Sequence, residues 1–336
     1  MLMDSLPRKS FGQAADRYDT AVFDEVESAT IDSYRLKPCL ARIDRAIGLD
    51  AILDQPTDSP AVIDYFRSSF LAYSLFHSLQ GSVHLAVNRD GAYRASGCLH
   101  QPREIAMRIR RLRPEQVVEL GCGRGYNLAY VARRHLRREF TGIDITPWHL
   151  AMSRLRTLCC RNVRILKQSF DDYEPDRASL GLVYDIEAIC YSTQPDLLLK
   201  RIARGLRPGG EFVTFNGFRG PGCETWPESW QLAVQLIETS MAVPQFHTTE
   251  DWIGWAADAG LQLVEHDDLS TAVLPSFLRF KGLASRLFRA GPLRDRIRGW
   301  LPRKTVLNAV AGMLSAETFR LGCHRYAMLA FRKDEG

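Results

Sequence analysis

The chain has 336 residues, 46% apolar and 25% charged, with a net charge of +5 at neutral pH. That length suits two domains, or one domain with large additions, and the composition suits a packed core rather than a disordered polymer. The N-terminal "MLMDSLPRKSFGQAADRYD" lacks the apolar h-region of a signal peptide, no run approaches the ~20 apolar residues of a membrane span, and eight irregularly spaced cysteines make neither a disulfide framework nor a zinc site, so a cytoplasmic location is expected.

Residues 1–100 show no strand–helix alternation and predict an N-terminal helical cap. In it, "SPAVIDYFRSSFLAYSLFHSLQ" reads as a helix: Ser59 caps it, Pro60 suits its first turn, and Phe66, Phe70 and Tyr73 share one face. From residue 101 the pattern changes. "QPREIAMRIRRL" is helical, and its arginines are expected on an exposed face. There follow strand "QVVEL", helix "GYNLAYVARRHL", strand "EFTGID", helix "PWHLAMSRLRTLCC" and strands "NVRILK" and "LGLVYDIE". Helix "PDLLLKRIARGL" and strand "EFVTFN" complete the run. Next comes helix "HTTEDWIGWAADAG", with Thr248 or Thr249 as cap and Gly260 as stop, and strand "LQLVEHDDL". A basic helical insertion, 273–322, separates this strand from a last one within 323–336, "RYAMLAFRK". The expected fold is α/β: a doubly wound, mostly parallel seven-stranded sheet with its core over 101–272 and the last strand returning after the insertion.

One stretch stands out. In "VVELGCGRGYN", 117–127, an apolar run ends in Glu119, and Gly121, Gly123 and Gly125 follow in alternation. Such a turn lets a ligand approach the backbone. The dinucleotide fingerprint G-x-G-x-x-G fails at its sixth position, Tyr126, but an acid, Asp144, ends the second strand, where a carboxylate can hold ribose hydroxyls.

"VVELGCGRGYN", "GIDITPWHL" and "LRPGGEFV" together resemble class I S-adenosylmethionine-dependent methyltransferases over about residues 101–270. The resemblance implies a Rossmann-like methyltransferase fold with S-adenosylmethionine as cofactor. It assigns Glu119, Gly121, Gly123 and Gly125 to the first loop, Asp144 and the adjoining Ile145 to the ribose, and Ser169 and Phe170 of "KQSFDD" to the adenine shelf. The family often has Asp where Ser169 stands.

"VYDIEAICYS", 183–192, is similar to the corresponding stretch of the C-methyltransferases that alkylate sterol side chains, and of bacterial enzymes that methylate isoprenoid alkenes. "GSVHLAV", 81–87, sits where those enzymes have a short His-containing entrance segment. The implied chemistry puts Glu187 beside the transferred methyl group, where a carboxylate stabilises a carbocation or takes its proton. Tyr191 and His84 are further catalytic candidates. Tyr184, Phe218, Trp226, Trp230 and Phe70 are candidate pocket aromatics, whose ring faces attract a cation.

Residues 278–304 hold nine Lys/Arg and one Asp, a net +8 within a chain of net +5. Three readings stay open for this block: a solvated helical surface, an anchor for a prenyl diphosphate, with Mg²⁺ entering alongside such a substrate, or a peripheral contact with an anionic membrane. Charge confined to one segment speaks against nucleic acid. The insertion also offers a surface for a homo-oligomer. Two alternatives to C-methylation of an apolar isoprenoid are kept: an O- or N-methyltransferase of a quinol, phenol or amine with His84 or His247 as base, and a non-catalytic S-adenosylmethionine-binding module.

Overall fold

The computed structural model describes residues 32–70, 81–289 and 291–335. Tyr73 lies outside the described residues. Seven segments pair into one sheet: β1 (Gln116–Leu120), β2 (Glu139–Asp144), β3 (Val163–Lys167), β4 (Leu180–Ile186), β5 (Leu206–Arg219), β6 (Leu261–Asp268) and β7 (His324–Lys333). Their order is β3-β2-β1-β4-β5-β7-β6. The first five are parallel, and β7 runs antiparallel between β5 and β6. Every residue of β4 is buried, as expected of a central strand covered on both faces. β5 extends well beyond "EFVTFN", because its C-terminal half goes on pairing with β7 as far as Arg219 opposite His324.

The N-terminal part of the described residues includes helices α1 (Lys37–Ile47), α2 (Asp50–Leu53) and α3 (Ser59–Ser68). The cap of α3 is Asp58, whose side chain accepts from the Ala61 N–H, and not Ser59. A carboxylate at this position also complements the positive end of the helix. The sheet is then flanked by α4 (His100–Leu112), α5 (Tyr126–Ala132), α6 (Pro147–Arg156), α7 (Pro195–Gly205), α8 (Glu228–Ser240) and α9 (Thr249–Asp258). Thr248 and Asp251 close a reciprocal capping box on α9. The basic insertion is three helices: α10 (Ser270–Leu287), α11 (Pro292–Trp300) and α12 (Arg303–Arg320).

The arginines of α4 do not all face solvent. Arg108 is only 5% exposed and reaches Glu211 at 3.1 Å and Glu265 at 2.6 Å. Glu211 is fully buried and also pairs with Arg111 and Arg332. A buried acid with several cationic partners ties α4 to β5 and β7.

The N-terminal helices and the insertion build one layer. Leu40 and Ile43 of α1 share a buried cluster with Ile237 of α8 and Leu307, Val310 and Leu314 of α12. The Tyr65 hydroxyl donates to Asn308 Oδ1 at 2.9 Å, linking α3 to α12. This layer stands over the C-terminal ends of the parallel strands, where an open α/β sheet binds its ligands. Among the described residues no helix is long and apolar enough to cross a membrane.

Candidate functional site

A cavity of about 650 Å³ opens above those strand ends. Its floor comes from the loops after β1, β2, β3 and β4, and its roof from α3, α10 and α12.

The β1 loop is shaped for close approach. Gly121 has φ 63°, and a Cβ there would lie 2.3 Å from Ala188 Cβ. Gly123, at φ 51°, has no atom nearer than 3.6 Å to the same hypothetical Cβ and lines the cavity. Gly121 therefore lets two loops touch, whereas Gly123 leaves room for a ligand. Gly125 does neither. It precedes α5, and a Cβ there would lie 2.5 Å from Ser153 Oγ, so it allows α5 to pack on α6. It does not line the cavity. Glu119 is also withdrawn: it is 1% exposed and accepts a 3.0 Å hydrogen bond from the Tyr184 hydroxyl. Burial pushes its carboxyl up to about 8.

Asp144 faces the cavity at the end of β2 with both oxygens engaged, accepting from Gly123 N–H at 2.9 Å and Thr146 N–H at 2.7 Å. Ile145, Ser169 and Phe170 line the same region. His149 was not among the sequence candidates. It lines the cavity with Nδ1 3.8 Å from Asp144 Oδ2, and its Nε2 is buried with no hydrogen-bond partner. A hydroxyl-bearing ligand would satisfy it. The room above Gly123, the carboxylate of Asp144 and this orphaned nitrogen fit a ribonucleoside ligand such as S-adenosylmethionine.

Asp171, also missed in the sequence, holds the floor together. It accepts from Ser192 Oγ at 2.6 Å and Thr193 N–H at 2.9 Å, joining the loop after β3 to the loop after β4. Asp185 does similar work one strand along, taking the Ala188 and Ile189 N–H groups and the Asn216 amide on one oxygen.

Between these clamps Glu187 adopts φ 59°, unusual for a residue with a Cβ. Its Oε1 accepts from Leu85 N–H and from the Tyr326 hydroxyl, each at 2.8 Å. Both contacts fall on one oxygen, and Glu187 lines the cavity. Burial pushes its carboxyl up to about 7, with Asp185 repelling the charge further. Tyr326 comes from β7, far along the chain, and the sequence reading did not include it.

His84 is not a base facing the cavity. Its Nδ1 contacts Leu85 O at 3.1 Å and its Nε2 contacts Asn127 Oδ1 at 3.0 Å. Burial holds the imidazole neutral, down to about 4, so its single N–H donates to one of these two oxygens and the ring is held between them. Gln101 Nε2 donates to the same carbonyl at 2.9 Å. His84 therefore braces the backbone whose next N–H holds Glu187. His247 is also away from the cavity, with its ring against Trp255.

The aromatic wall differs from the expected one. Tyr191 lines the cavity, its hydroxyl donating to Met241 O at 3.2 Å. Tyr184 and Phe218 are fully buried and do not reach it. Phe218 shares a buried cluster with Trp252 and Leu329. Trp226 and Trp230 pack against the helical cluster, and Phe70 lies against Arg124. The cavity aromatics are instead Phe66, Phe170, Tyr191, Phe246, Phe277, Phe280, Phe319 and Tyr326. Several come from the insertion, where nothing local in the sequence distinguishes a cavity ring from a core ring. Arg286 is the one Lys or Arg lining the cavity among the described residues, and no group of three or more His, Cys, Asp or Glu there is placed to hold a metal ion.

Residues 117–210 match the family described as "Methyltransferase domain". That matched stretch is a methyltransferase domain. The chain is 27% identical over 178 residues to 24-methylenesterol C-methyltransferase 3 of Arabidopsis thaliana, covering 50% of this chain and 47% of that one. It thus spans about half the length of that curated relative. An O-methyltransferase of Penicillium expansum, cnsE, is 25% identical over 250 residues, 71% of this chain and 86% of that protein. Among solved structures, geranyl diphosphate C-methyltransferase from Streptomyces coelicolor A3(2) superposes with a TM-score of 0.54 at 18% identity, over 79% of this chain and 97% of that one. The chain thus shares the fold of that solved C-methyltransferase around its matched methyltransferase domain.

Proposed function

We propose that the protein is an S-adenosylmethionine-dependent C-methyltransferase that methylates an alkene carbon of an isoprenoid lipid. The observation that carries this reading is Glu187: one oxygen fixed by Leu85 and Tyr326, the other without a hydrogen bond among the described residues, on the wall of an apolar, aromatic-lined cavity.

The cofactor supplies an electrophilic methyl group on a sulfonium. Gly121 and Gly123 would admit its methionine part, Asp144 and His149 would hold the ribose hydroxyls, and Ser169 and Phe170 would flank the adenine. The substrate alkene would use its π pair to form the new carbon–carbon bond as the methyl–sulfur bond breaks with its pair returning to sulfur, which leaves the substrate a carbocation. Aromatic side chains of the wall, Tyr191 among them, would stabilise that cation, an interaction worth about 2 kcal/mol or more where a ring face meets it with water excluded. Glu187 then takes a proton from the adjacent carbon, whose C–H pair becomes the new double bond. Alignment and exclusion of water supply the rest. A single arginine on the cavity wall favours a neutral lipid over a prenyl diphosphate, and with it a reaction in which no Mg²⁺ is needed.

The Penicillium relative, matched over more of both sequences, favours a second reading: O-methylation with Glu187 as base for a hydroxyl. Methyl-labelled cofactor with a panel of sterols, polyprenols, prenyl diphosphates, quinols and phenols separates the two. Label on a neutral lipid whose methyl carbon is shown by NMR to be bonded to carbon, with the hydroxyl still free, supports C-methylation. Label on a phenol or quinol oxygen rejects it, and label that becomes extractable only after phosphatase treatment moves the substrate to a diphosphate.

A further inference from the structure

The basic block has a second feature that its charge alone does not explain. Helix α11 carries Leu293 and Trp300 seven residues apart, on one face, and they are 67% and 85% exposed. Single exposed apolar side chains are ordinary, but these two share a face within the most basic segment of the chain. Ile297, four residues after Leu293 and three before Trp300, and Leu301, directly after Trp300, line the cavity. One apolar stripe thus runs from solvent into the site. Arg286, Arg289, Arg296 and Arg303 are exposed around it.

We propose that α11 and its flanking arginines dock on an anionic membrane surface and that the lipid substrate passes from the bilayer along Leu293, Trp300 and Ile297 into the cavity. An exposed Trp and Leu beside a ring of arginines match the two phases of such a surface, acyl chains below and anionic headgroups above. Trp is suited to that boundary, with an apolar body and a polar N–H. A protein partner would have to be acidic and apolar in the same place, and a second copy of this protein would bring its own basic block against the first. Charge complementarity therefore selects the anionic membrane.

The docking surface rests on exposure and charge. The entry route for substrate rests on the isoprenoid reading above. Flotation of the full-length protein with vesicles tests the first without any turnover. Phosphatidylcholine vesicles are compared with vesicles rich in phosphatidylglycerol, at low and high salt. The expected result is co-flotation with the anionic vesicles only, reversed by salt. Leu293→Asp with Trp300→Asp, and separately Arg289→Glu with Arg296→Glu, should each weaken binding on the order of tenfold or more. All four side chains are outside the cavity, so the melting temperature should be retained in both variants, and the Arg289/Arg296 variant, which leaves the substrate path intact, should still methylate a detergent-dispersed substrate. Failure of the wild type to float on anionic vesicles, or equal flotation by the variants, overturns docking. A wild-type dimer that the Leu293/Trp300 variant turns into a monomer, with no flotation, assigns the face to a second copy and also overturns it. A protein that floats but never methylates an alkene would overturn the substrate reading and leave the docking surface standing.

Discussion

Glu187 is the residue on which the proposed chemistry turns, and its surroundings set its pH behaviour. With its carboxyl raised to about 7, the ionised base accumulates as pH rises through neutrality. The expected kcat/KM therefore climbs through about pH 7 to a plateau. Glu187→Gln keeps the backbone geometry and should bind cofactor normally, lose about 10²-fold or more in turnover, and flatten that limb of the profile. Wild-type turnover in this variant would remove the role. Asp144→Ala should weaken S-adenosylmethionine binding by about tenfold or more, read by calorimetry, because in the proposed complex its carboxylate would accept a charge-assisted hydrogen bond from the ribose. An unchanged dissociation constant would take Asp144 out of the site. These two acids were legible because each closes a strand in a recognisable motif. Tyr326, His149 and Asp171 were not. Tyr326 meets Glu187 across 139 positions of sequence, and no local pattern announces such a meeting.

Among the elements, the β1 loop offers a paired test. Gly121→Ala drives a Cβ to 2.3 Å from Ala188, so it should lower stability by about 1–3 kcal/mol in chemical denaturation and disturb the Glu187 turn. Gly123→Ala has open space and should cost about 1 kcal/mol in stability while impairing cofactor binding more strongly. Equal effects from both would mean that the loop serves packing alone. The wall made by α10 and α12 has its own tie: Glu317, fully buried, meets Lys281 and lies 3.3 Å from Arg320. Glu317→Ala leaves those cations without their buried partner and should cost about 3–5 kcal/mol. The pocket aromatics show where element-level reading stops. A period of two says that neighbouring residues of a strand face opposite sides, but not which side carries the cavity. Tyr184 shares a face with the cavity residue Ile186 but lies deeper, hydrogen-bonded to Glu119, and Phe218 shares one with Asn216 but is covered by its own cluster, so depth and tertiary packing rather than strand face exclude them.

Across the fold, buried acids and buried histidines act with opposite signs on stability. Glu119, Asp185 and Glu187 are raised to about 8, 7 and 7, so the native state holds protons that the unfolded chain has released. Their contribution to stability is present at low pH and is lost as pH rises through those values. His84 and His324 are lowered to about 4 and 3, so their contribution grows with pH and is complete above their ordinary value of 6.5. The two sets offset below about pH 6.5, and above it the acids act alone. The melting temperature should therefore decline between about pH 6.5 and 8.5, and Glu119→Gln should flatten the decline. A melting temperature that rises across that interval would contradict this balance.

The alternation of strands and helices, the seven-stranded sheet, the glycine loop and the two acids can all be read from the order of residues, because each is written in short-range periodicity or a contiguous motif. Folding in three dimensions was needed to choose which aromatics face the cavity, to turn His84 into a brace for a backbone turn, to bury Arg108 against Glu211, and to bring Tyr326 onto Glu187. These depend on which distant segments share a face. That is fixed when the N-terminal helices and the insertion bury their apolar sides together over the strand ends, an outcome of long-range packing that no local pattern encodes.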